Sequence, residues 1–275
     1  MKLLIACDME GISGVVNWDQ VDPGNPEHKR FSKIMTADVN AAIQGAASAG
    51  ASEILVADGH WNSTNILLEE LDPRAKLNSG SPNELSMVQG ADNGVDAAIF
   101  IGYHARVGSL NAILDHTWSS IRVANVWLNG RLVGEFGLNG AVCGHFGVPV
   151  LMVSGDQTVC AEAKEWVPGI QTAVVKKASG RFSAECLPVD VSQQLIRDSA
   201  EKAVQGFKSG NGPAPLKVKT PVEIEIEFVS TQMADMAVLL PGSRRIDGRK
   251  LACEAEDMVK AYKAFRGMVS LAQTR

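Results

Sequence analysis

Lys2-Leu-Leu-Ile-Ala-Cys7, followed at once by Asp8-Met9-Glu10-Gly11, decides the fold of this chain. A nearly unbroken apolar run suits a strand buried on both faces, as in a parallel sheet, and this one stops at a pair of carboxylates. The pattern recurs twice. Glu53-Ile-Leu-Val-Ala57 leads into Asp58-Gly59-His60, and Ala97-Ala-Ile-Phe-Ile101 leads into Gly102-Tyr103-His104. Residues 32–49, between the first two runs, are rich in helix formers and stop at Gly50, a residue suited to the end of a helix.

Further along, the pattern changes. Val123–Leu128, then Asn129-Gly130, then Arg131–Val133 reads as a β-hairpin, because Asn-Gly accepts the positive φ angles of a type I′ turn. A short helix is expected over 137–146, closed by Gly147 and Pro149, then a buried strand over 148–153, with Asp156 placed to cap the next helix. Further helices are expected over 191–208 and 254–273. Val222-Glu-Ile-Glu-Ile-Glu-Phe228 alternates cleanly, which predicts a strand with one wet face, near a sheet edge. The fold class is α/β: a mixed, largely parallel central sheet flanked by helices, with a β-hairpin and a C-terminal α/β portion. Residues 1–275 form one catalytic chain, as a single domain or as two lobes joined near 209–221, where Gly210-Asn-Gly-Pro-Ala-Pro215 resembles a linker.

Bulk composition narrows the function. Of 275 residues, 45% are hydrophobic and 21% charged, ordinary values for a globular chain. The net charge is −5 and no Lys/Arg cluster is present that would track a phosphate backbone, so nucleic acid is not an expected partner. No apolar run is long enough for a membrane span, and an acidic pair follows the N-terminal run where a signal peptide would need more apolar length. The five cysteines (Cys7, Cys143, Cys160, Cys186 and Cys253) are odd in number and form no CxxC, which suggests buried thiols in a reducing, cytoplasmic setting.

In open parallel sheets, ligands bind outside the carboxyl ends of the strands. The three early runs therefore deliver Asp8, Glu10, His60 and His104 to one edge, and Glu135, just past the hairpin, offers a further carboxylate. Carboxylate oxygen with imidazole nitrogen suits Zn²⁺ or a similar ion. One catalytic zinc needs about three protein ligands, so this surplus suggests two ions roughly 3.5–4 Å apart, with Asp8 as the bridge. Each residue has a plainer reading alone: a helix cap for Asp8, solvated surface for Glu10, a hydrogen-bonded loop histidine for His60 and a place beneath Tyr103 in a packed turn for His104. Coincidence at three strand ends favours the metal site. His116, after the Gly/Ser/Asn-rich loop 107–111, is either a proton shuttle or oxyanion donor, or an exposed loop histidine. His145 is expected to sit structurally at a helix end and His28 on the surface. Trp18, Trp61, Trp118 and Trp127 belong to the core or wall a substrate pocket.

These residues resemble the zinc-dependent D-aminopeptidases of the DppA type. The matching stretches are Asp8-Met-Glu-Gly-Ile-Ser-Gly14, Val56–His60, Gly102–Arg106, His116, Val133–Asn139, Pro149–Asp156 and Glu256–Tyr262, in the same order over nearly the whole chain. The resemblance implies two zinc ions on Asp8, Glu10, His60, His104 and Glu135, an active-site histidine at His116, and a ring-shaped homo-oligomer, a decamer in the type member. The loop 107–114 and the Trp118 region depart from the family pattern, which bears on substrate choice, including the D or L preference, more than on metal.

The expected function is hydrolysis of short peptides from a free N-terminus at a binuclear zinc site, with Co²⁺ or Mn²⁺ able to substitute. Two alternatives compete. The strand followed by Asp8-x-Glu10-Gly superficially resembles a haloacid-dehalogenase phosphohydrolase, but that chemistry leaves both strand-end histidines without a task, and Mg²⁺ rarely uses imidazole. A non-enzymatic peptide- or metal-binding protein would not need His116 beside the metal site.

Overall fold

The computed structural model describes residues 1–273. In chain order the elements are β1 (Lys2–Cys7), α1 (Pro26–Ser48), β2 (Glu53–Asp58), β3 (Ala75–Asn78), β4 (Ala97–Ile101), β5 (Val123–Leu128), β6 (Arg131–Leu132), α2 (Glu135–His145), β7 (Val150–Asp156) and α3 (Gln157–Trp166). Then follow β8 (Gln171–Gly180), β9 (Ser183–Cys186), α4 (Val189–Lys208), β10 (Val222–Phe228), α5 (Thr231–Ala237), β11 (Ser243–Arg245), β12 (Lys250–Ala255) and α6 (Met258–Leu271).

Seven strands form a sheet in the order β3-β2-β1-β4-β7-β8-β9, parallel throughout except for the β8/β9 pair. β1 shows why its apolar run was unbroken. Leu3, Ile5 and Cys7 enter the core beneath α1 and α4, whereas Leu4 and Ala6 enter a second core on the opposite face. Successive side chains point to opposite faces, so both sets must be apolar. The second core is completed by an antiparallel five-stranded sheet, β11-β12-β10-β5-β6, together with α2 and α6.

The hairpin is present, with Asn129 at φ +49° and Gly130 at +77°. It belongs to the second sheet and ties the middle of the chain to its C-terminal part. β10 is the central strand of that sheet, between β12 and β5, rather than an edge. Its alternation was read correctly for faces but not for position. The wet face is bordered on both sides, with Glu225 paired to Lys250 and Glu227 to Arg249 and Asn125.

Two helices start elsewhere than expected. α1 begins at Pro26 because the Asn25 side chain accepts from Glu27 N and proline sits in the first turn. At the C-terminus, residues up to Ala255 complete β12, and the Asp257 side chain caps α6 by accepting from Lys260 N. Among the described residues no helix is long and apolar enough to cross a membrane. The five cysteines are free, four of them buried, but Cys186 is exposed, against the expectation of uniformly buried thiols.

Candidate metal centre

The order β2-β1-β4 makes three neighbouring strand ends, and these deliver His60, Asp8 and His104. Two glycines bring the segments together. Gly102 has φ +73°, and a Cβ there would sit 2.3 Å from the Asp8 carbonyl oxygen. A Cβ on Gly11 would sit 1.9 Å from the Tyr103 carbonyl oxygen. Such closeness is open only to glycine, and it lets Gly11 N donate to Gly102 O at 2.8 Å. Glu135 arrives from the first turn of α2, where a carboxylate is favoured by the helix dipole, and its Oε1 accepts from Trp118 N at 2.7 Å.

All five expected ligands meet in one buried cluster, none more than 4% exposed. His60 Nδ1 lies 3.2 Å from Asp8 Oδ1 and 3.1 Å from Glu10 Oε2, and His104 Nε2 lies 3.4 Å from Asp8 Oδ2 and 3.2 Å from Glu135 Oε1. His116 is not a loop residue standing apart. Its ring stacks on His104 at 4.0 Å, and its Nε2 lies 3.8 Å from Glu10 Oε1 and 3.7 Å from Glu135 Oε1. The loop before it folds back over the strand ends, helped by positive φ at Asn111 and Leu114.

Each imidazole is held by its outer nitrogen. His60 Nε2 donates to Val21 O at 2.8 Å, His104 Nδ1 to Ala105 O at 3.0 Å and His116 Nδ1 to Leu114 O at 2.8 Å. Metal-binding histidines are commonly oriented this way, because a fixed N–H on one nitrogen leaves the lone pair of the other facing the ion. Asp8 Oδ2, Glu10 Oε2 and His104 Nε2 are buried without a hydrogen-bond partner. Buried polar atoms are rarely left unmatched, and three converging ones fit a cation. Two donor triads have atoms within 4.8 Å of one another: Asp8, Glu10 and His104, and His104, His116 and Glu135. The oxygen and imidazole donors suit zinc.

The charges answer one another. Burial, then the Glu10 and Glu135 charges, push the Asp8 carboxyl up to about 7. Burial opposes ionisation of Glu10 and Glu135, but the neighbouring imidazoles outweigh it and hold both low. Burial likewise opposes the charged forms of His60 and His104, yet the surrounding carboxylates raise both well above the usual histidine range. His116 goes the other way, lowered by burial and by the charge of His104.

Two supporting residues carried no recognisable signal in the sequence. Asp58, the last residue of β2, grips the His60 loop. Its Oδ1 accepts from His60 N and Asn65 Nδ2, and its Oδ2 from Asn65 N and Ile66 N. Lys176 on β8 is buried, and its ammonium donates to the carbonyls of Glu10, Ile12 and Val15 at 2.6, 2.9 and 2.8 Å, fixing the segment that carries Glu10. Burial lowers it to about 8.

Above the cluster opens a cleft of about 500 Å³ that includes Trp18, Trp61 and Trp118 in its wall. Trp127 is elsewhere, under the Lys250 ammonium. His145 is exposed in the last turn of α2, as expected, whereas His28 is half-buried, with its Nε2 3.0 Å from Asn65 Oδ1.

Comparison with known proteins gives the family. The family described as D-aminopeptidase (peptidase M55) matches residues 1–267. A D-aminopeptidase of Bacillus subtilis (strain 168) is 37% identical over 273 residues, covering 99% of this chain and 98% of that one. Among solved structures, the Zn-dependent D-aminopeptidase DppA from Bacillus subtilis, described as a self-compartmentalizing protease, matches with a TM-score of 0.94. It is 36% identical, with 99% of this chain and 98% of that chain covered.

Proposed function

The chain belongs to the D-aminopeptidase family, and from that premise we propose that it removes N-terminal residues from short peptides at a binuclear zinc site. It is a metal-dependent aminopeptidase; the number of ions, the residues that hold them and the substrates are our reading. Asp8, Glu10, His60, His104 and Glu135 would hold the zinc, with Asp8 shared, and Co²⁺ or Mn²⁺ able to replace it. The observation that carries this is the convergence of Asp8 Oδ2, Glu10 Oε2 and His104 Nε2, buried and unmatched, beside imidazoles anchored by their outer nitrogens.

When bound, zinc supplies Lewis-acid polarisation of the scissile carbonyl and a more acidic water. Hydrolysis breaks the peptide C–N bond, joins the water oxygen to the carbonyl carbon and sends a proton to the leaving amine. His116 is placed to move that proton. Its Nδ1–H is committed to Leu114 O, so Nε2 presents its lone pair to the cleft floor, and its lowered pKa keeps it neutral near pH 7. A free α-amino group of the substrate would bind one metal or an acidic residue, which would restrict the enzyme to free N-termini. A phosphohydrolase is disfavoured, because both strand-end histidines sit within the donor cluster.

The core that spans both sheets supports treating the chain as one catalytic unit. The relative's self-compartmentalizing description supports a homo-oligomer, which we read as a ring such as a decamer, and the unpaired cysteines support a cytoplasmic setting. The test is to strip the protein with a chelator, reload it with zinc, and assay D- and L-dipeptides against p-nitrophenyl phosphate, with metal analysis alongside. Restored dipeptide hydrolysis with about two ions per chain is expected. Full peptidase activity with no transition metal bound would end the proposal.

A further inference from the structure

The charged groups lining the cleft are distributed unevenly. Asp8, Glu10 and Glu135 lie at the metal cluster, and the arginines on the lining are Arg122 and Arg266. Arg266 is already engaged: its guanidinium donates to Glu84 O at 2.7 Å and to Asn83 O at 2.9 Å. Arg122 is not engaged. Among the described arginines, only Arg122 and Arg197 have a guanidinium that meets neither an acceptor nor an ion-pair partner. Arg197 is exposed on α4, whereas Arg122 is half-buried on the cleft wall.

The base of Arg122 is rigid. It directly precedes β5, its carbonyl accepts from Val229 N at 2.9 Å, and its own N donates to Ser119 O at 3.3 Å. A charged fork on a fixed backbone suits planar, bidentate recognition of a carboxylate. Short peptides are zwitterions. Their C-terminal carboxylate is matched by a guanidinium on the cleft wall that has no other partner. A cleft of about 500 Å³ accommodates a short peptide.

We propose that Arg122 takes the free C-terminal carboxylate of the substrate, so that the enzyme selects short zwitterionic peptides over aminoacyl amides and carboxyl-capped peptides. This rests on the aminopeptidase reading above and names its substrate class. Arg122 binds and orients; it takes no part in proton transfer.

The experiment compares zinc-loaded wild type, Arg122→Gln and Arg122→Lys on D- and L-alanyl dipeptides and on the same dipeptides with the C-terminus as a carboxamide. A charge-assisted hydrogen bond is worth roughly 10–100-fold in binding. Wild type should therefore show a KM lower by about that factor for the free acid. In Arg122→Gln the acid-over-amide preference should collapse, through KM rather than kcat, and Arg122→Lys should retain part of it. Equal KM values for acid and amide in wild type overturn the proposal even if the glutamine variant does not fold. So does a folded Arg122→Gln with the wild-type preference. Wild type that hydrolyses neither substrate instead overturns the aminopeptidase reading itself.

Discussion

Asp58→Asn isolates the support of the site from its ligands. The two side chains match in size, but the amide has one acceptor atom where the carboxylate has two. Asp58 Oδ2 accepts from Asn65 N at 2.5 Å and Ile66 N at 2.9 Å, and Oδ1 accepts from His60 N at 3.3 Å and Asn65 Nδ2 at 2.9 Å. Whichever way the amide turns, its NH₂ faces two donors, and two bonds are lost in a buried site. Hydrogen bonds to a charged acceptor contribute about 1.5–3 kcal/mol each, so the variant should lose roughly 3–6 kcal/mol of stability. The His60 ring is positioned by the same loop, and loss of such a support typically lowers metal affinity by about 10–100-fold. Urea unfolding measures the first effect and zinc competition against a chromophoric chelator the second. A variant with wild-type stability and zinc affinity would refute the view that Asp58 holds the His60 loop in place.

Other perturbations act on the ligands and their surroundings. Asp8→Asn should abolish most zinc binding and activity, because a neutral amide cannot replace a shared anion; normal metal content in the purified variant would discard the shared role. His116→Ala should lower kcat by about 10²–10⁴-fold while zinc content is retained. Because Nε2 of His116 lies within reach of Glu10 and Glu135, a loss of zinc on metal analysis would reassign it as a ligand. Asp38, raised by burial to about 6 although it accepts from Ser13 N and Oγ, binds its proton more tightly folded than unfolded. Its contribution to stability is therefore full below about pH 4 and fades as pH rises through about 6. Asp38→Asn should remove that slope, on the order of 3 kcal/mol, from a series of urea titrations across this range; an unchanged slope would show that another group titrates.

Much of the site was legible because the parallel sheet writes it into sequence in a simple form. A strand buried on both faces must be an apolar run, and whatever follows it arrives at one edge, so Asp8, His60 and His104 could be placed together without knowing the strand order. His116 was harder to place. Its position depends on how an unpatterned loop, with positive φ at Asn111 and Leu114, folds over that edge, and no periodicity reports this. Alternation in Val222–Phe228 disclosed which side chains are wet but not how many neighbours the strand has, because Glu225 and Glu227 remain on a half-exposed face while strands pair on both sides. Asp58 was seen only as a residue beside His60, since carboxylates that grip main-chain N–H groups look like any others in sequence.

The Lys176 contact has a consequence for synthesis of the chain. Asp8 and Glu10 leave the ribosome early, but the ammonium that gathers the carbonyls of Glu10, Ile12 and Val15 is 166 residues downstream of Glu10. Until β8 has been made and docked, the segment bearing Glu10 lacks the clamp that sets its path. A nascent or truncated chain ending before residue 176 therefore exposes the acidic pair without the finished cluster. The path of the Glu10 segment is therefore completed only when the later half of the central sheet is in place.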